Sequence, residues 1–451
     1  MLRRLSCWLL LLLAAIPRLA TGQTGNADTI SGVVSLGQCI QFALQNQPAL
    51  KQSLIDEAIQ KANINIALSS WLPQANLNAN LIHYFELPTT VTTNFTNPSA
   101  GKIAFQSGVY NNSTPQFSAT ENIFNNDVLY AATTAKYYKV QSKQEIENTK
   151  INVVVDVSKA YYNVLLSMLQ ITILDEDIVR LEKSLKDARS QYEAGIVDKV
   201  DYKRATIALN TSKVQLKAAT EALPAKYAQL RQLMGLQDGT NIELQVDTAA
   251  MLQEINYDTT ASLDIANRIE YQQLQTTQTL QKQNTRYYKN AFLPSLSAYY
   301  NYNWVYQNDK FDQLYNKQYP NSLVGLNFSL PLFQGFKRTQ NIRKSKLQEE
   351  RLGWDEVNLK LQINSEYEQS LATYKASLEA LGMAKENVAI AREVYDVVFL
   401  QYREGVKEYL EVITAESDLK TSQVNHLNAV FQLLVSRLDL QKSTGSINVN
   451  Y

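Results

Sequence analysis

The chain has 451 residues, with 43 Lys and Arg against 43 Asp and Glu, two histidines and two cysteines. That charge balance offers a nucleic-acid backbone no basic surface, and lone cysteines at positions 7 and 39 exclude a Cys-x-x-Cys metal site. The length would fit two or three ordinary domains.

Arg3 and Arg4 precede an apolar run from Leu9 to Ile16 and the small residues Ala20, Thr21 and Gly22, the layout of a secretory signal over residues 1–22. Cleavage there exports the chain and removes Arg3, Arg4 and Arg18, which takes the balance to 40 minus 43, or −3. Cys7 leaves with the signal. Cys39 is then the sole thiol, so no intrachain disulfide is available, and no cysteine stands at the new N-terminus to carry a lipid. Past the signal there is no run of ~18 apolar residues, so a membrane segment would have to be made of strands.

The first strand signal is Ala75, Leu77, Ala79 and Leu81 alternating with Gln74, Asn76, Asn78 and Asn80. A polar loop over 87–114 follows, and then a weaker alternation over 115–122. From 126 to 194 there is neither glycine nor proline, which reads as one helix on the order of 100 Å long. Its seam is Ile151, Val154, Ser158, Tyr161, Leu165, Met168, Ile171, Leu174, Ile178, Leu181, Leu185, Ala188 and Tyr192, the three-and-four spacing of a coiled coil. Gly195 offers the positive φ that ends it. A second helix returns from 196 to Pro224, where the proline should kink or end it. Residues 235–262 read as a connection with some packed irregular structure.

The second half repeats this order. Leu296, Ala298, Tyr300, Tyr302, Trp304 and Tyr306 alternate with Ser297, Asn301, Asn303 and Gln307, and Val324, Leu326, Phe328 and Leu330 with Gly325, Asn327 and Ser329. One long helix keeps a seam from Leu371 through Tyr374, Leu378, Leu381, Lys385, Val388, Arg392, Tyr395 and Phe399 to Tyr402; after Gly405 another runs from Leu410 through Ile413, Ser417, Lys420, Val424, Leu427, Phe431 and Leu434 to Leu438. "QYEAGIVDKVDYKRA" at Gln191 and "QYREGVKEYLEVITA" at Gln401 stand 210 residues apart, and "WLP" at Trp71 and "FLP" at Phe292 stand 221 apart. The organisation is therefore a signal at 1–22, a first repeat at 23–236, a connecting segment at 237–262, a second repeat at 263–445 and a short polar tail at 446–451.

Strands with one apolar and one polar face suit either a barrel wall between lipid and a wet lumen or a soluble sheet lying on a core. The tyrosine-rich face, with Trp71 and Phe292 just ahead of the strands, suits aromatic belts at a membrane interface. Four strands cannot close a barrel, and an open edge cannot face lipid. The membrane placement thus needs at least two copies, and periodicity does not choose between two, three or four.

Two homologous halves of this kind, with "LGQCIQFALQNQPAL" early, Trp/Phe-Leu-Pro before each odd strand and glycines at both hairpin tips, resemble the TolC-like outer-membrane efflux factors from Ser35 to about Gly445. The resemblance implies a mainly α fold with a small β part: antiparallel coiled-coil hairpins forming a periplasmic α-barrel, and four strands per chain in a 12-stranded outer-membrane barrel made by a homotrimer. It implies a passive exit duct of a tripartite efflux or type I secretion system. A periplasmic adaptor would dock at the tips (Gly195, Ile196, Val197, Gly405, Val406), an inner-membrane pump (RND or ABC type) would supply the energy, and outer-membrane lipid would surround the barrel. By position, Tyr402 and Lys407 would bind Asp201 to latch the entrance and Glu411 would line the constriction. The further acid of that ring is Thr414 here, and Lys407 stands where the family has an arginine fork.

The same residues also have plain readings. Gly195 and Gly405 suit any coiled-coil reversal, Tyr402 continues the seam, and Asp201 and Lys407 are ordinary solvated tip charges. Nothing suggests catalysis, a cofactor or a metal. His83 on a strand and His426 on a helix fall in different layers, and no phosphate loop, His-Glu-x-x-His or Gly-x-Ser-x-Gly occurs. His-rich and Met-rich tracts are also missing, which disfavours a dedicated metal duct. A periplasmic coiled-coil scaffold and a general diffusion porin are the rival classes.

Overall fold

The computed structural model describes residues 32–93, 101–236, 242–245 and 263–451. The secretory signal and most of the connecting segment lie outside them. In chain order the elements are β1 (Gly32–Val34), α1 (Leu36–Asn46), α2 (Pro48–Ser69), β2 (Gln74–His83), β3 (Thr89–Thr93), β4 (Lys102–Gln106), β5 (Asn111–Phe124), α3 (Asn126–Glu193), α4 (Lys199–Met234), β6 (Ile242–Leu244), α5 (Ile269–Asn290), β7 (Ser295–Asn308), β8 (Gln318–Ser329), α6 (Lys337–Arg403) and α7 (Tyr409–Thr444).

Local chemistry sets the ends of these elements. Ser35 and Gln38 form a reciprocal capping box at the start of α1, and Pro48 opens α2 where its missing N–H costs nothing. Asn125 caps α3, whose 68 residues run on the order of 100 Å, and α6 matches it with 67. Gly235 and Gly445 end α4 and α7 with φ of +73° and +71°; a Cβ there would fall 2.6 Å from the carbonyl oxygen of Asn46 and 2.7 Å from that of Asn267. The same close approach therefore closes both halves, at positions that match across the duplication.

The main sheet has the order β2-β5-β7-β8, antiparallel throughout, so β2 and β8 are free edges. Its register brings like residues into rows. Ala75, Ala119, Tyr300 and Val324 line up across one face, and Asn78, Gln116, Asn303 and Asn321 across the other. The apolar face is unusually open: Leu77 is 71% exposed and Val324 80%. A soluble sheet would bury that face, so a sheet lying on a core within the protomer is excluded.

The main core lies where α1, α3, α4 and α7 meet the parallel pair β1-β6, with Val157, Val164, Leu230, Met234, Leu433 and Leu440 fully buried. Cys39 is sealed in it, and burial pushes its thiol up to about 12, which makes it inert.

Several expectations need correction. Helix α4 does not end at Pro224 but continues to Met234. The proline is exposed, so the carbonyl it displaces reaches water, while Leu223 and Tyr227 beside it keep their core packing. The loop over 87–114 contains the antiparallel pair β3-β4. The weak strand around Pro115 is the 14-residue β5, and its ladder to β7 skips Thr114 and Pro115, where the missing N–H leaves no donor. Leu378 and Leu410 of the proposed seams are exposed, and Ser377, Tyr409, Val412, Ala415 and Leu419 are buried in their place, because α7 packs against both α6 and α3 and buries a wider stripe than a two-helix seam. The tail is not purely polar in its contacts: Ile447 and Val449 pack on the main core.

Candidate functional site

At both tips the reversal is built identically. Gly195 and Gly405 each take φ of +74°, and the next amide, of Ile196 or Val406, donates back to Gln191 or Gln401 at 2.9 Å. That six-to-one bond satisfies the ending helix in the left-handed way glycine permits. Asp198 and Glu408 are the N-cap residues of α4 and α7; only Asp198 bonds an amide, that of Val200 at 3.4 Å. Ile196 and Val406 are 72% and 71% exposed, and Val197 is half-buried. The tips thus present apolar side chains on rigid, glycine-closed turns.

Just behind the tips the two hairpins lock together. Ala188, Ala205, Tyr402, Tyr409 and Val412 form a small second core, with the rings of Tyr402 and Tyr409 5.4 Å apart. The Tyr402 hydroxyl donates to Gln191 Oε1 at 2.7 Å, which ties α6 to α3 across the hairpins. Burial, followed by the nearby Asp201 and Asp187 charges, pushes that hydroxyl up to about 12.

Within one protomer the latch residues are close but engage other groups. Lys407 Nζ pairs with Glu411, the constriction acid, four residues on. Asp201 has no hydrogen bond or ion pair from its carboxylate among the described residues. Burial raises its carboxyl, Arg204 opposes that, and Asp198 and Glu408 add to it.

A charged cluster that sequence reasoning missed lies further along the hairpins. Glu416 on α7 and Asp177 on α3 are 2% and 1% exposed. Arg180 lies 3.6 Å from Asp177 and 3.8 Å from Glu416, Lys420 lies 3.5 Å from Asp177, and Ser212 of α4 donates to Asp177. Neither oxygen of Glu416 accepts a hydrogen bond. Burial first, and the Asp177 charge second, push the Glu416 carboxyl up to about 7 against Arg180 and Lys420. Its only trace in the sequence is Lys420 falling inside an apolar seam.

The histidines stay apart. His83 closes β2 with Nδ1 2.8 Å from Asn111 Oδ1, and His426 is half-buried on α7, where burial and then Lys385 lower its pKa. Among the described residues no group of three or more His, Cys, Asp and Glu could hold a metal ion, and no helix is long and apolar enough to cross a membrane.

Against known proteins, the chain matches the outer membrane efflux protein family over residues 39–236 and 262–446. It is similar to outer membrane protein TolC of Escherichia coli K12, 22% identical over an alignment 443 residues long that covers 93% of this chain and 84% of that protein. Its fold is similar to that of CusC, with a TM-score of 0.74 at 14% identity over 94% of this chain and 95% of that one. Outer membrane protein VceC from Vibrio cholerae is a further neighbour, with a TM-score of 0.70 at 14% identity over 91% and 96%.

Proposed function

This chain belongs to the outer membrane efflux protein family, and from that membership we propose a homotrimeric duct whose six hairpin tips dock a periplasmic adaptor. The protein is an outer-membrane exit channel of the tripartite efflux kind, with its helical part in the periplasm of a Gram-negative bacterium. Channels of this kind form trimers, work with adaptor and inner-membrane pump proteins, and are not enzymes.

One observation carries the oligomeric reading for this chain, to which the family adds the number three: a four-stranded sheet with two free edges and an exposed apolar face. Such edges are tolerated beside lipid only when β8 of one copy pairs with β2 of the next, and three copies give a barrel of twelve strands. Helices of ~100 Å then lead from the barrel into the periplasm, a reach that a general diffusion porin would not need. Transport is passive in this reading, and either an RND or an ABC pump supplies the energy, including in type I secretion. The units at 23–236 and 263–445, joined by 237–262, are the two structural repeats that supply two hairpins per copy.

The docking rim comprises Gly195, Ile196, Val197, Gly405 and Val406. Its support is the pair of exposed apolar side chains on glycine-closed turns, which cost little entropy to immobilise. The latch of Asp201, Tyr402 and Lys407 closes between copies in this reading, since Tyr402 and Lys407 already have partners in their own protomer and Asp201 is the group left open. Glu411 lines the constriction with the half-buried Lys407 as its neighbour, a pair worth on the order of 0.5 kcal/mol.

A photoreactive residue in place of Ile196, activated in cells producing the protein at its normal level, tests the rim. Capture of a periplasmic adaptor is expected. Capture of nothing but copies of the same chain would remove the docking assignment.

A further inference from the structure

Charge is distributed unevenly at the level where the helices enter the strands. From Tyr271 to Gln348 the sequence contains two acids, Asp309 and Asp312, and both lie beyond β7, at the far end of the sheet from the helices. The last turns of α5 carry Lys282, Arg286 and Lys289, spaced four and three apart and so on one face. The first turns of α6 carry Lys337, Arg338, Arg343, Lys344 and Lys346. All eight are exposed, and among the described residues none lies within ion-pair distance of a carboxylate.

The fold does not require this collar. The corresponding turns of the first half, residues 61–69 at the end of α2 and 126–135 at the start of α3, hold Lys61 and Asp127 and no other charged residue. Lys337 and Arg338 even occupy the first turn of α6, where the helix dipole disfavours cations. An anion outside the protomer would relieve that cost.

Position and neighbours identify the anion. Lys282 is eight residues from the end of α5 and Lys346 nine residues into α6, so the collar spans roughly 12–14 Å below the strands, the depth of a headgroup layer and its Debye shell. It is continuous with the lipid-facing apolar row Val324, Leu326 and Phe328 of β8 through Leu330 and Leu332, the latter 88% exposed. Arg338 stacks over the ring of Phe292, with 5.8 Å to the ring centre, and Tyr287 and Tyr288 pack 5.2 Å apart at the same height. An amphipathic aromatic belt with unpaired cations immediately beneath it is the complement of an anionic membrane face.

We propose that the α5–α6 collar binds the phosphate headgroups of anionic phospholipids in the periplasmic leaflet of the outer membrane, setting the depth and tilt of the channel in that membrane. This rests on the outer-membrane reading, and the test separates the two. The purified channel in neutral detergent is titrated with phosphatidylglycerol, phosphatidylcholine or inorganic phosphate, and its thermal unfolding is followed. Phosphatidylglycerol should raise the Tm by several degrees in a salt-sensitive way, with little rise from the other two. The combined Lys282→Gln, Arg286→Gln and Lys289→Gln variant should lose at least half of that rise, and Lys282→Arg, Arg286→Lys and Lys289→Arg should keep it. Single-channel recording of both variants in a zwitterionic bilayer reports the duct independently. Equal responses to the three additives, a full response in the Gln variant, or a change in its cation-to-anion permeability, which would put the collar in the lumen, would each overturn the proposal.

Discussion

Glu416 is 2% exposed, and neither of its carboxylate oxygens accepts a hydrogen bond. Its carboxyl titrates near 7 in the fold against 4.5 for an ordinary glutamate, so the folded protein favours the protonated form. The resulting stabilisation is fully present below about pH 4.5 and is lost as pH rises through about 7. A permanently neutral isostere escapes that loss. Glu416→Gln should therefore unfold at a higher temperature than the parent above pH 7, by a difference on the order of 3 kcal/mol per protomer, and the two should converge toward pH 5. A difference that stays constant from pH 5 to 8.5 would show that burial beside Asp177 does not hold Glu416 protonated. The tip residues were legible in the sequence because Gly195 and Gly405 recur in matching frames, and the structure confirms their positive φ. Asp177 and Glu416 were not legible, because a buried carboxylate on a helix surrounded by solvated ones carries no mark of its own.

The elements follow the sequence where backbone chemistry dominates and depart from it where tertiary packing chooses. Glycine-free runs gave α3, α4 and α7, the three-and-four seam gave the second half of α6, which contains Gly353 and Gly382, and alternation gave all four strands of the main sheet. Pro224 does not end the helix because its cost, about 3 kcal/mol in a helix interior for the lost hydrogen bond and the ring clash together, is small beside the core contacts its neighbours keep. The α7 seam is displaced by one residue from Tyr409 to Gln423, where two partner helices rather than one receive it, while Leu434 and Leu438 are buried as expected. The same distinction separates two kinds of glycine. Gly405 needs only its positive φ, since a Cβ there meets nothing within 4 Å, whereas at Gly235 a Cβ would also strike the Asn46 carbonyl oxygen at 2.6 Å. Gly405→Ala should cost about 1 kcal/mol, and Gly235→Ala roughly 2–3 kcal/mol or a local shift of α1. Thermal unfolding of both variants checks the order, and a larger loss at Gly405 would contradict it.

At the scale of the whole molecule, the duplication explains why the chain is built in two halves. Each half supplies two strands and a hairpin, and the close approaches of Gly235 to Asn46 and of Gly445 to Asn267 fasten the halves in the same way. A sheet with two open edges and an apolar face exposed to the outside is an unfinished object. No pattern in one chain says how many copies finish it, because edge pairing between copies leaves no trace in the periodicity of either strand. The number three comes from the family, and it fixes the twelve strands and the six tips on which the exit-duct reading depends. The mass of the particle extracted from the outer membrane in detergent, measured by native mass spectrometry, tests this most directly. Three chains per particle are predicted. A particle of one, two or four chains, stable in a detergent that preserves conductance, would contradict it.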